Sequence, residues 1–241
     1  MRSFCYTYFI IILLIVTFAG RANGAGLQVT PIVLNIKQTQ KSDGLWLTNT
    51  SNQPMDVQVR VFEWLQQNQT DVLNPTPEFV ASPPMVKIPS GQKQFVRLVR
   101  VGQTPASGER AYRIVVDELP LQRAVTKGLT FALRYSVPVF IQGNTAATAP
   151  KLTWGLSRGP GGEVVLTVTN SGATRAKLSG VRFVNNNGQS VVINQGLFGY
   201  ALANSSRQWS IGKNTRMFAA GGRFELTMNG KDLRFPVSGL R

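Results

Sequence analysis

Histidine, the commonest general base and metal ligand near neutral pH, is absent from all 241 residues, and the chain holds one cysteine, Cys5. A Ser-His-Asp triad cannot be built, and thiolate chemistry is confined to one position near the start. Carboxylates are present, but Asp117 and Glu118 form the one adjacent acidic pair. Neighbours on a strand point to opposite faces, so these two could converge on a substrate atom only across a bulge. A serine paired with a lysine stays open on composition, although both are ordinary surface residues. The missing groups argue against an enzyme and against a bound metal or cofactor.

Charge is the next chemical resource. The chain carries 26 Lys and Arg against 11 Asp and Glu, and 24 against 11 once Arg2 and Arg21 are set aside. Such an excess suits an anionic partner, or keeps a soluble surface self-repelling. Those two arginines flank an apolar run from Phe9 to Phe18 that is too short to span a bilayer, and Ala22 and Gly24 follow at the spacing of a cleavage site. Residues 1–24 read as a signal peptide cut near Gly24/Ala25, with no membrane insertion afterwards. Cys5 lies inside this leader, so the mature chain has no cysteine and relies on ordinary burial. An exported chain is a poor match for nucleic acid, and no compact basic cluster with interleaved aromatics is present.

Positioning falls to strands. Apolar residues alternate in Leu45-Trp46-Leu47-Thr48, Val57-Gln58-Val59-Arg60-Val61 and Phe95-Val96-Arg97-Leu98-Val99, which is the period of half-buried β-structure. Turn signals at Ser42-Asp43-Gly44, Ser51-Asn52-Gln53-Pro54, Pro89-Ser90-Gly91 and Asn187-Gly188 punctuate them. No segment has a helical pattern. Residues 143–150, small and polar and ending in Pro150, read as a linker. Residues 25–142 and 151–241 are then two all-β domains, each the size of one sandwich. In the second, strands are expected near Lys151 to Leu156, Val164 to Thr169, Leu178 to Phe183, Val191 to Ile193 and Phe224 to Met228. A faint echo links the halves, since Leu47-Thr48-Asn49-Thr50-Ser51 and Val168-Thr169-Asn170-Ser171 both end a strand in an Asn/Ser turn.

Three stretches together carry a resemblance. They are Ser82-Pro83-Pro84 running through Pro89-Ser90-Gly91 to Phe95-Val96-Arg97-Leu98, Tyr112-Arg113-Ile114-Val115-Val116-Asp117-Glu118-Leu119-Pro120, and Gly128-Leu129-Thr130-Phe131-Ala132-Leu133-Arg134-Tyr135-Ser136-Val137-Pro138-Val139-Phe140. In order and spacing they resemble the PapD-like periplasmic pilus chaperones of the chaperone-usher pathway, and their wording looks closest to the archaic, Csu-type branch. The resemblance implies two immunoglobulin-like sandwiches joined at an angle, a periplasmic location, fibre subunits as clients and an outer-membrane usher as recipient. It leaves open self-association of the free form.

The third stretch resembles the family's subunit-binding strand, with Leu129, Phe131, Leu133, Tyr135 and Val137 on one face. The same alternation would equally fill this protein's own core. Another branch of the family anchors the subunit's C-terminal carboxylate with an Arg and a Lys whose positions fall here near Ile32 and Pro138, so that pair is missing. If the donated strand runs toward the cleft, the strand before it begins there. Arg113 is then the candidate anchor, with Arg134 and Arg97 behind it. Pairing of Arg113 with Asp117 or Glu118, or simple solvation, is the competing reading. An exported tandem-sandwich adhesin or fibre subunit is the alternative function, and a carboxylate hydrolase a third.

Overall fold

The computed structural model describes residues 26–103, 107–120, 131–143 and 148–240. The leader, Leu129 and part of the linker lie outside them. Ten strands form the first domain: β1 (Leu27–Thr30), β2 (Leu34–Ile36), β3 (Ser42–Asn49), β4 (Met55–Gln67), β5 (Thr70–Pro75), β6 (Phe79–Ser82), β7 (Met85–Ile88), β8 (Lys93–Arg100), β9 (Glu109–Leu119) and β10 (Arg134–Gln142). Alternation translates directly into burial. Leu45 and Leu47 point inward around Trp46, and Val96 and Leu98 do so around Arg97. Each such side chain, fully buried, contributes about 1.5–3 kcal/mol.

These strands make two facing sheets, ordered β1-β3-β8-β6 and β2-β10-β9-β4-β5, with β7 paired to the start of β4. Their inner faces share one core. The first segment of chain serves both sheets. β1 runs antiparallel to β3, the backbone crosses over at Pro31, and β2 then runs parallel to β10. Because β2 has three residues, it covers Val139 to Ile141 and nothing earlier on β10.

The second domain contains β11 (Leu152–Arg158), β12 (Val164–Asn170), β13 (Ala176–Asn185), β14 (Ser190–Ala201), β15 (Ser205–Ser210), a single helical turn α1 (Thr215–Phe218), β16 (Gly222–Met228) and β17 (Lys231–Val237). Its sheets are β11-β12-β15 and β14-β13-β16-β17, packed around Val164, Leu166, Val168, Phe183 and Phe224. Three elements depart from the sequence expectation. β15 carries one apolar residue, Trp209, so it shows no alternation. Pro236 argues against β17, yet this strand is the sheet's edge, where a missing N–H is tolerated. α1 is four residues long, too short to show a 3.6-residue period, and is set by the Asn214 side chain accepting from Met217 N.

The echo between the halves is atomic. Asn49 and Asn170 are fully buried, and each amide donates to the carbonyl four residues on, Gln53 and Thr174, at 2.7 and 2.8 Å. Each Oδ1 accepts the main-chain N–H two residues on, from Ser51 and Gly172, at 2.9 Å. Asn49 also ties down Ile88 O, and Asn170 ties down Ala201 O and Leu202 O.

The domains meet through an aromatic cluster. Trp64 and Phe140 of the first pack on Tyr200 of the second, with ring centres 5.5 Å apart for both contacts. Gln66 crosses the junction twice, donating to Tyr200 O at 2.7 Å and accepting from Leu202 N at 2.9 Å. Arg175 pairs with Glu109, donates to Asn35 Oδ1 at 2.6 Å and lies 3.6 Å over the Phe140 ring.

Candidate functional site

β10 is bonded along one edge to β9, from Arg134 opposite Asp117 to Gln142 opposite Glu109. Its other edge is covered by β2 from Val139 onward. Among the described residues, no strand pairs with that outer edge between Arg134 and Pro138. Pro138, which lacks an N–H, stands where the cover begins. The main-chain groups before it form a template for a strand from another molecule.

The residues singled out on this strand divide by depth. Phe131 precedes β10 and is 75 % exposed, an unusual state for a large aromatic ring. Leu133 and Tyr135 are half-buried and touch the first domain's own core. The Tyr135 hydroxyl donates to Leu27 O at 2.5 Å. Val137 is 3 % exposed and belongs to that core. Period two is kept, but Phe131 looks outward while Val137 is buried in the core that β10's sheet shares with the facing sheet β1-β3-β8-β6. Leu129 lies outside the described residues.

The three arginines are dispersed. Arg97 is exposed on β8, in the sheet that lacks β10. Arg134 sits on β10 and is bound to Asp117, which also holds Arg60 at 2.6 Å. Burial works against ionisation of Asp117, but the bonds from Arg134 and Arg60 outweigh it and hold its carboxyl below the usual range. Glu118 takes a different partner, accepting from Leu133 N at 3.2 Å. Asp117 and Glu118, four and five positions further along β9, are therefore engaged elsewhere. Arg113 stands opposite Pro138, donates to Ser136 O at 3.1 Å and stacks 3.7 Å from the centre of the Trp64 ring. Among the described residues it forms no ion pair. Burial pushes its pKa down, with Asp71 and Tyr200 partly compensating. A desolvated guanidinium that keeps its charge, beside the end of the open edge, is a ready partner for a carboxylate.

Sequence reasoning missed the seat that holds Arg113. Trp64 comes from the far end of β4 and Tyr200 from the second domain, and no local pattern links either to Arg113. It also missed a half-buried polar knot in the first sandwich. Arg110 bridges Glu63 at 2.5 Å and Glu78 at 2.8 Å, and the Tyr112 hydroxyl donates to Glu78. Burial opposes the charge on Glu78, but Tyr112 and Arg110 prevail and lower its pKa.

Two Ser-x-x-Lys stretches occur, Ser90 to Lys93 and Ser210 to Lys213. In the first, the serine hydroxyl donates to Ser51 O at 2.8 Å and Lys93 lies 4.8 Å over the Trp46 ring, so both groups are turned to other partners. Among the described residues, no cluster of three or more acidic, His or Cys side chains could hold a metal ion.

The sequence profile of the pili and flagellar-assembly chaperones, PapD N-terminal domain, matches residues 26–146. No curated protein matches the chain in sequence at significance. Among solved structures, a chain of the CsuC-CsuE chaperone-tip adhesion subunit pre-assembly complex from the archaic chaperone-usher Csu pili of Acinetobacter baumannii is 27% identical. It superposes with a TM-score of 0.70 over 88% of this chain and 98% of that one. The E. coli chaperone DraB is similar in fold at 19% identity, TM-score 0.57, over 90% of this chain and 97% of its own. So is a chain of the Salmonella enterica SafA pilin complex with the SafB chaperone, at 15% identity and TM-score 0.60 over 88% and 96%. With the profile match spanning half its length and the two-sandwich architecture in common, the chain belongs to the PapD family of pili and flagellar-assembly chaperones.

Proposed function

We propose that this protein is a non-enzymatic periplasmic chaperone of the archaic chaperone-usher branch, which lends the outer edge of β10 to an incomplete fibre subunit and passes that subunit to an outer-membrane usher. Residues 1–24 are the leader, 25–142 the subunit-binding domain, 143–150 the linker and 151–241 the second domain. The observation that carries this reading is the edge from Arg134 to Pro138, which no strand among the described residues pairs, with Phe131 exposed just ahead of it. A subunit lacking one strand presents an apolar groove and an unsatisfied sheet edge, and strand addition supplies both needs. Each main-chain hydrogen bond contributes about 0.5–1.5 kcal/mol net, and burial of Phe131 in the client's groove about 1.5–3 kcal/mol more. Phe131 is the exposed side chain that enters that groove, and Leu129 precedes it at the same period in the sequence. Leu133, Tyr135 and Val137 continue the strand and set its register against the chaperone's own core. Arg113 holds the client's C-terminal carboxylate at the cleft.

Co-expression with a fibre subunit and affinity capture test this. Phe131→Asp abolishes capture while leaving the chaperone's unfolding midpoint unchanged, because the side chain touches little in the free protein. Val137→Ala instead lowers stability by about 1.5–3 kcal/mol. Undiminished capture by Phe131→Asp would refute donation by this segment.

A further inference from the structure

The second domain carries most of the excess charge. Residues 151–241 hold 12 Lys and Arg against 3 Asp and Glu, whereas residues 25–142 hold 12 against 8. Two of those three acids, Glu225 and Asp232, line the outer face of the sheet β14-β13-β16-β17. Strand pairing sets Arg182, Glu225 and Arg234 in one row across β13, β16 and β17. Three guanidiniums converge on Glu225, from Arg182 at 2.6 Å, Arg223 at 2.9 Å and Arg234 at 3.5 Å. Asp232 accepts from the Thr227 hydroxyl at 2.7 Å. One carboxylate cannot neutralise three cations. Glu225 therefore orients the arginines, and with Asp232 on the same face the three guanidiniums keep one positive charge in excess, with N–H donors to spare and side chains exposed.

The same face is hollow. An open groove of about 780 Å3 has Val192 and Asn194 of β14 on one wall and Asp232 and Arg234 of β17 on the other. Its shape follows from a bulge. Asn194 pairs with Val181 and Leu197 with Ser179, so Gln195 and Gly196 together face Gly180. Gly180 has φ 59°, a conformation glycine adopts without strain, and a bulge bends the strand that carries it. Asn194 adds an independent sign, since its buried Oδ1 has no hydrogen-bond donor. A buried acceptor in that state lowers stability unless a partner brings an N–H.

These features select among anionic partners. A flat bilayer does not fill a concave face, and phosphate oxygens bring no donor to Asn194. A second copy is opposed by the like charge of the two basic domains. An extended acidic polypeptide satisfies both features, with carboxylates for the guanidiniums and main-chain N–H groups for Asn194, and Val192 offers an exposed apolar contact between them. We infer that the outer face of the second domain, with Arg182, Arg223 and Arg234 gathered on Glu225, is a docking groove for an acidic extended segment of a partner protein.

Fluorescence anisotropy of the mature chain with a labelled peptide of alternating glutamate and valine tests this, with the glutamine-for-glutamate peptide as neutral control. The acidic peptide binds and the neutral one does not. The Arg182→Gln, Arg234→Gln double variant weakens binding at least about tenfold. An equal charge loss away from the groove, Arg158→Gln with Lys213→Gln, changes it less than about twofold. Three outcomes overturn the proposal: no binding, equal losses in the two double variants, or binding to phosphatidylglycerol vesicles that the acidic peptide fails to compete away. Phe131→Asp lies on the other domain and leaves peptide affinity unchanged, so failure of the groove and failure of strand donation are read separately.

Discussion

Arg113 forms no ion pair among the described residues: Asp117 and Glu118, further along β9, are committed to other groups, and Asp71, whose charge it feels, is held by Trp64, Gln66 and Arg207. Stacking on Trp64 is worth about 0.5–2 kcal/mol and offsets part of the lost hydration, but it leaves the charge unpaired. Calorimetric titration with a fibre subunit should show Arg113→Ala weakening binding by about tenfold or more, the loss expected of a charge-assisted bidentate contact. Arg97→Ala, on the opposite sheet, should change it less than about twofold; equal and negligible losses would remove Arg113 from the anchor role. Glu78 offers a prediction of a different kind. Its folded pKa lies below the ordinary glutamate value of about 4.3, because Tyr112 and Arg110 prevail over burial. The native state therefore favours the ionised form. The resulting stability is complete above that ordinary value and is lost as the pH falls through the folded pKa. Urea midpoints should drop across that acidic window, and Glu78→Gln should flatten the drop.

Among elements, β10 shows how far a local pattern reaches. Its alternation is plain in the sequence from Leu129 to Val137, and it is compatible both with donation and with self-burial. The fold separates the two, leaving Phe131 outside and placing Val137 within the core, because the sheet neighbours of each residue differ. The paired Asn corners were legible as turn endings after Leu47-Thr48 and Val168-Thr169. Their burial was not legible, since it depends on the carbonyls of Ile88, Ala201 and Leu202, which are remote in sequence. Asn49→Ala and Asn170→Ala should each lower stability by about 1–3 kcal/mol in chemical denaturation, the loss expected when buried carbonyls are left without donors. A change below about 0.5 kcal/mol would mean that water replaces the amide.

At the scale of the molecule, the junction couples the sandwiches. Trp64, Phe140 and Tyr200 form a shared aromatic cluster, and Gln66 and Arg175 bond across it. Aromatic pairs contribute about 0.5–1.5 kcal/mol beyond their buried area, enough to make neighbouring domains unfold together. Scanning calorimetry should show one transition for the parent chain and two for Trp64→Ala; a single, merely shifted peak would mean that the polar bridges suffice for coupling. The charge is also a property of the whole, concentrated on the second domain, and the sheet that carries Arg182, Arg223 and Arg234 turns it into a shaped surface.

The amino-acid sequence by itself determined the all-β architecture, the two-part division and the lack of any histidine, because side-chain period and composition are local properties. It also put Arg113 on the strand antiparallel to β10, but as the start of that strand, whereas β9 begins four residues earlier, at Glu109. Only the tertiary structure decided that β2 stops after three residues, so that no other described strand covers the edge of β10 before Val139, that Trp64 lies under Arg113, and that three arginines meet on one glutamate. Each of those facts depends on which distant strands become neighbours, and hydrogen-bonded registry between remote segments leaves no periodic trace in any one of them.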